Sequence, residues 1–188
     1  MDTRGAIIEH ALRLFAARGY DAIGVQEVCD AAGITKPTLY HHFGNKRGLF
    51  EALIQERCLP FLETLGSAAA YAGDLPRTLH QVTLAYFHFA QREPALYRLL
   101  LTLWFTRSSD DAFQRVAEFN EKQHRFLVEM FRQAASDHGN MRERQQAYAA
   151  TLLGTINTYI FLSLNGHVEL SERLAHQAMH QFSHGIYS

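Results

Sequence analysis

Cysteine is nearly absent from this 188-residue chain: Cys29 and Cys58 are the only two, and no Cys-x-x-C pair occurs. That argues against a disulfide framework and fits a reducing cytoplasm. Long apolar runs are missing as well. The longest, Ala68–Ala72, has five residues, far short of the ~18 needed to cross a bilayer. Met1-Asp2-Thr3-Arg4 lacks the charged-then-apolar pattern of a secretory signal, so the expectation is a cytoplasmic protein with no membrane partner. Nor does one sign of charge dominate. Eighteen Lys and Arg face nineteen Asp and Glu, a net charge of −1 with eleven His neutral, so no global basic field announces nucleic acid. Val and Ile are scarce, fourteen together against 24 Ala and 23 Leu. Helix propensity favours the second pair and strand packing the first, so the fold class expected is all-α. Proline is limited to four positions, and Pro76 and Pro94 sit where helices could begin, with Pro37 in the first turn of a short one.

What is present is an ordinary globule, 47% hydrophobic and 20% charged, with no repeat and no low-complexity tract. Ile8, Leu12 and Phe15 recur on one face of a helix that stops at Gly19. Val25, Val28, Cys29 and Ala32 mark a second, two-turn helix ending at Gly33. A third follows Ile34, with Thr35 as N-cap and Leu39 and Phe43 inward. Asn45 then caps a fourth carrying Leu49, Phe50 and Leu53. Ala31-Ala32-Gly33-Ile34-Thr35 reads as a helix end, a left-handed glycine cap, one buried aliphatic residue and a new N-cap, the corner of a helix-turn-helix unit. The third helix leaves Lys36, Thr38, Tyr40, His41 and His42 outward. Between Ala31 and Phe50 there are three cations and no acid. Short side chains near such a helix start suit entry into a major groove, while Tyr and Lys reach phosphates.

Gly19-Tyr20-Asp21-Ala22, Ala31-Ala32-Gly33-Ile34-Thr35-Lys36, Thr38-Leu39-Tyr40-His41-His42-Phe43 and Lys46-Arg47-Gly48-Leu49-Phe50 resemble the DNA-binding domain of the tetracycline-repressor (TetR) family, over about residues 6–54. The resemblance implies an all-helical homodimeric repressor. Its residues 1–45 would form the helix-turn-helix domain that reads double-stranded DNA, and 46–188 a helical domain that dimerises and binds a small-molecule effector. Carried over by position, Thr35, Lys36, Pro37, Thr38, Tyr40 and His41 correspond to groove-facing residues. Tyr40, His42 and Lys46 correspond to phosphate contacts, and the amide end of the second helix, near Gln26, would hold a further phosphate. Three positions depart from the family's pattern. Gly24 replaces a usual Ser or Thr cap, Pro37 a frequent glycine, and Arg47-Gly48 a common Glu-Ala pair.

Beyond this unit, helical segments are expected over about 46–71, 75–92, 94–105, 110–137, 141–164 and 169–186. Pro60 predicts a kink or a stop near Leu59. The 110–137 stripe runs through Phe113, Val116, Ala117, Asn120, His124, Leu127, Phe131 and Ala134. Its polar members Asn120 and His124 are read either as the orienting groups of an aromatic effector pocket lined by Phe87, Trp104, Phe105 and Phe126, or as a locally satisfied pair, or as a stripe edge at a dimer surface. The apolar helix 147–164 and the stripe Leu170, Leu174, Ala178, Phe182, Ile186 resemble a two-helix surface that pairs across a two-fold axis, though a monomer could bury these faces internally. Gly154 would permit close helix approach. His176, His180 and His184 have metal-ligand spacing but lie about 200° round the helix from that stripe, so they face solvent and no metal or cofactor is expected.

An enzyme needs a catalytic constellation. Glu121-x-x-His124 has di-iron spacing but no second such motif accompanies it, and phosphate loops, a nucleophile elbow and His-Glu-x-x-His are absent. The chain is therefore read as a non-enzymatic DNA-binding regulator, most simply a repressor released by a small apolar or aromatic effector. The alternative is a helical carrier or scaffold, which leaves residues 33–47 unexplained.

Overall fold

A computed structural model describes residues 2–104, 111–138 and 141–185. Among the described residues the chain forms nine α-helices and no strand: α1 (Thr3–Arg18), α2 (Val25–Ala32), α3 (Lys36–Phe43), α4 (Lys46–Ala68), α5 (Leu75–Arg92), α6 (Pro94–Trp104), α7 (Asp111–Ala134), α8 (Gln145–Leu164) and α9 (Glu172–His184). Two compact units divide the chain, Met1–Pro60 with Ala95–Phe119, and Phe61–Pro94 with Asn120–Ser188.

In the first unit α1 buries Ile7, Ile8, Ala11, Leu12 and Phe15, as its period requires. Phe15, Tyr20 and Phe50 form an aromatic triangle, with ring centroids 5.2, 6.0 and 4.8 Å apart. Val28, Leu39, Leu49 and Leu53 close around it with no exposed surface. Each such side chain contributes about 1.5–3 kcal/mol on leaving water. Surface ion pairs run along the same helices. Glu9 meets Arg13 at 3.3 Å and Arg57 at 3.1 Å, Arg4 pairs with Glu56, and Glu51 takes Arg47 at 2.9 Å and Arg115 at 3.4 Å. Exposed pairs of this kind are worth about 0–1 kcal/mol each, so the apolar centre dominates. Cys29 and Cys58 are both buried.

The second unit is centred on α5, whose Leu75, Leu79, Val82, Tyr86, Phe87 and Phe89 are buried. Phe61 stacks on Phe89 at 4.3 Å and 9° and meets Tyr86 edge-on at 5.0 Å. Buried hydroxyls are satisfied locally: Thr83 donates to the Leu79 carbonyl and Thr78 to that of Asp74, as burial demands. α8 is long and apolar enough, by length and composition, to cross a membrane, with mean hydropathy 1.3. Here its Leu152, Leu153, Ile156 and Ile160 are core residues, and Thr151, Thr155 and Thr158 return their hydroxyls to carbonyls four residues back.

Four expectations change. α4 continues through Pro60 to Ala68 without stopping. A proline there has no N–H to offer the Glu56 carbonyl, and the rungs on either side carry the helix past that gap. Among the described side chains of α7 the buried positions are Val116, Phe119, Gln123, Leu127, Met130, Phe131 and Ala134. Val116, Leu127, Phe131 and Ala134 of the expected stripe are thus inside, Phe113 lies outside the described side chains, and the polar members differ. Ala117 is exposed, Asn120 and His124 are half-buried, and Gln123 is the buried polar residue. Gln123 donates to Asn120 Oδ1 at 3.2 Å. The α9 stripe faces inward in the same chain: Leu170 and Ala178 are buried and Phe182 lies 6.3 Å from Phe131. Finally, Gly154 is exposed, and a Cβ added there would meet nothing within 4 Å.

Candidate nucleic-acid interface

The α2–α3 corner sets the outward face. Gly33 adopts the left-handed conformation, φ 65°, ψ 34°, which costs glycine nothing and other residues about 1–2 kcal/mol. Its N–H donates to the Asp30 carbonyl at 3.3 Å and that of Ile34 to the Cys29 carbonyl at 3.0 Å. This pair of bonds closes a helix C-terminus in the Schellman pattern. Thr35 then starts α3 in extended geometry, but its hydroxyl caps no backbone N–H. It lies 3.0 Å from the Thr38 hydroxyl instead.

α3 buries only Leu39 completely. Thr35, Lys36, Pro37, Tyr40 and His41 are exposed, Tyr40 at 45%, while Thr38 and His42 are half-buried. The rings of His41 and His42 meet edge-on at 5.5 Å. Lys46, at the start of α4, holds its ammonium 4.1 Å above the Tyr20 ring. A cation over an aromatic face keeps its charge, so this lysine is aimed by the same ring that fills the core. Arg47 is tied to Glu51, whose carboxyl is held below its ordinary range first by that guanidinium. The positive charge Arg47 adds to the sequence is therefore largely compensated.

Gln26 is exposed at the amide end of α2, and its side-chain amide donates to Asp30 at 2.7 Å. Gly24 provides no side-chain cap there, and Glu27 makes the reciprocal half of a capping box, accepting from the Gly24 N–H at 2.9 Å. That bond, reinforced by Arg18, lowers the Glu27 pKa. Glu27 was legible as a capping partner, three residues after the N-cap. The Tyr20–Lys46 contact spans too much sequence to leave a local signal.

The next corner depends on another glycine. Asn45 accepts from the Gly48 N–H at 2.8 Å, capping α4. A Cβ on Gly48 would lie 2.1 Å from the Phe43 carbonyl oxygen. The departure at Gly48 is thus a close backbone approach in this chain.

Each described residue expected to meet an effector has its own surroundings. Phe87 is buried on α5 and borders a cleft of about 270 Å³ with Leu84, His88, Gln91, Leu170 and Glu172. On α7, Asn120 accepts from Gln123, His124 Nε2 lies 2.7 Å from Gln146 Oε1, and the Phe126 ring lies against Gly66 at 3.3 Å. Trp104 is 39% exposed on α6, in the first unit. Phe105, like Ile186 of the α9 stripe, lies outside the described residues.

A tri-helical head whose last helix turns a polar face outward defines a helix-turn-helix protein. The family model for bacterial regulatory proteins of the tetR family matches residues 7–53, the helix-turn-helix segment of this chain. Among curated proteins it is 32% identical over 99 residues to the HTH-type transcriptional activator FasR of Mycolicibacterium smegmatis, covering 53% of this chain and 45% of that one. It is 40% identical over 52 residues to the HTH-type transcriptional repressor KstR2 of Mycobacterium tuberculosis, 28% of this chain and 26% of that one. The chain spans less than half the length of either. Among solved structures, FadR of Bacillus subtilis in complex with stearoyl-CoA shares 20% identity at a TM-score of 0.77, covering 97% of this chain and 99% of that one. The ketosteroid regulator KstR2 of M. tuberculosis shares 19% at 0.78, covering 96% and 93%. These likenesses establish a common fold.

Proposed function

We propose that the protein is a cytoplasmic, homodimeric transcriptional repressor that a small apolar or aromatic effector releases from a near-palindromic operator. Residues 1–45 act as the reading head and 46–188 as the effector-binding and dimerisation part. The observation that carries the reading is the outward face of α3, held by the Gly33 corner and bearing Lys36, Tyr40 and His41 on a stretch without acids. Thr35, Lys36, Pro37, Thr38, Tyr40 and His41 face the groove, while Tyr40, His42, Lys46 and the α2 amide end at Gln26 meet phosphates. Two heads reach successive major grooves ~34–36 Å apart.

The two copies pair through α8 and α9. The exposed face of α8, with Thr151, Gly154, Thr158 and the 55%-exposed Phe161, supports this, and Phe161→Asp is expected to yield monomers in sedimentation. Effector contacts fall to Phe87, Asn120, His124 and Phe126. A protein of the same fold holds stearoyl-CoA, which favours an apolar ligand. Effector binding favours a tilt of the 46–59 stretch, and repression falls by a coupling of about 1–3 kcal/mol.

Binding of the full chain to its upstream intergenic DNA, followed by fluorescence anisotropy against salt, tests the reading. Contacts to several phosphates give a steep negative slope on log salt. Tyr40→Ala weakens binding to all sequences, whereas Thr38→Ala changes preference at one base position. Equal losses for Thr38→Ala on operator and random DNA would remove its reading role, and no binding at low salt would remove the proposal in favour of a carrier.

A further inference from the structure

Eleven histidines are spread through the chain, and His176, His180 and His184 occupy successive turns of the exposed face of α9. Spacing alone makes these a row of equals, but their surroundings differ. The rings of His180 and His184 lie one over the other, centroids 4.4 Å apart and planes 22° from parallel. His184 Nδ1 is 2.9 Å from the His180 carbonyl oxygen. A carbonyl oxygen only accepts, so this Nδ1 carries the proton and the lone pair of His184 sits on Nε2. A bond from Nδ1–H to a backbone carbonyl is the support that fixes tautomer and ring direction in metal-ligating histidines.

His176 is engaged elsewhere, its ring edge-on to His80 of α5 at 6.2 Å. The stacked pair also closes α9, where Gly185 follows as C-cap. The carbonyl end of a helix is its negative pole and favours a bound cation.

We infer that His180 and His184 form a surface site for one divalent transition-metal ion that prefers imidazole nitrogen, such as copper(II), nickel(II) or zinc(II). Among the described residues no three His, Cys, Asp or Glu side chains converge on one point, so the protein supplies two ligands and water the rest. The site uses one chain's residues and does not depend on DNA reading.

The full-length, untagged chain, stripped with chelator, is titrated by calorimetry with copper(II) and then zinc(II), and the copper(II) form is examined by EPR for nitrogen coupling. The expected result is one ion per chain, copper(II) bound more tightly than zinc(II), with coupling to two imidazoles. His180→Gln and His184→Gln each weaken binding by about tenfold or more, while His176→Gln stays within about twofold. All three substitutions are on an exposed face, and thermal unfolding checks that the helix is retained. Unchanged affinity in both His180→Gln and His184→Gln would overturn the assignment. So would an equal loss in His176→Gln, or half an ion per chain, which would place the ion between two copies.

Discussion

From Gly24 to Phe50 the chain changes direction repeatedly, and hydrogen bonds to backbone N–H groups hold the helix ends: Gly24 to Glu27, Gly33 and Ile34 to the end of α2, and Gly48 to Asn45. From Gln145 to His184 it turns once, between α8 and α9, and the helices are held by buried faces that include Leu152, Ile156, Ala175 and Ala178. The cause is length. α2 and α3 have eight residues each, too few to be stable by helix propagation, so the shape of the reading head rests heavily on its corners. α8 has twenty and depends on what covers it. A glycine therefore means opposite things in the two regions.

The largest effect is expected from Gly48→Ala. Its Cβ would collide with the Phe43 carbonyl, and relieving that contact costs about 1–3 kcal/mol, read as a lower urea midpoint. A midpoint equal to the parent's would mean that the α3–α4 corner is looser than described. Gly33→Ala follows, at about 1–2 kcal/mol for a side chain in the left-handed conformation. DNA affinity should drop with it if α3 is aimed by that turn. Gly154→Ala, on the face of α8 through which two copies are proposed to pair, gains up to about 1 kcal/mol of helix propensity in a lone chain but should weaken the dimer in sedimentation. A more stable protein with unchanged association would show that no second copy covers this face.

The smallest effect is that of Glu27→Gln, and it depends on pH. The folded protein holds this carboxyl below its ordinary value of 4.5, so its contribution is present above that value and disappears as pH falls through the lowered folded one. Parent and variant should differ in thermal midpoint at neutral pH and converge on acidification. A difference that grows in acid would contradict the cap.

The corner region was legible because its chemistry is local. A left-handed glycine after two alanines, an Asn three residues before Gly48, and apolar residues at helical intervals each act within a few positions. Thr35 is the exception: its place as N-cap was readable, but its hydroxyl turns to Thr38 because that partner is equally close on the first turn. The faces of α7 and α9 were less legible. Asn120 and His124 share a helical stripe with Val116 and Leu127 in sequence, yet Gln123 is the residue that goes inside. A stripe broad enough to include several phases is resolved only by the neighbour that covers it. The same holds for the residues expected at the effector, where each side chain answers to its own neighbour: Phe126 to Gly66, His124 to Gln146.

Composition and short-range pattern thus sufficed for an all-helical chain with a helix-turn-helix head, since propensity, caps and positive-φ glycines act through the backbone of adjacent residues. Tertiary structure alone decided that α4 passes through Pro60, that the α9 stripe turns inward, that Lys46 rests on Tyr20, and which two of three evenly spaced histidines stack. Each of these depends on groups brought close by folding, and a periodic sequence specifies that a face exists without specifying what meets it.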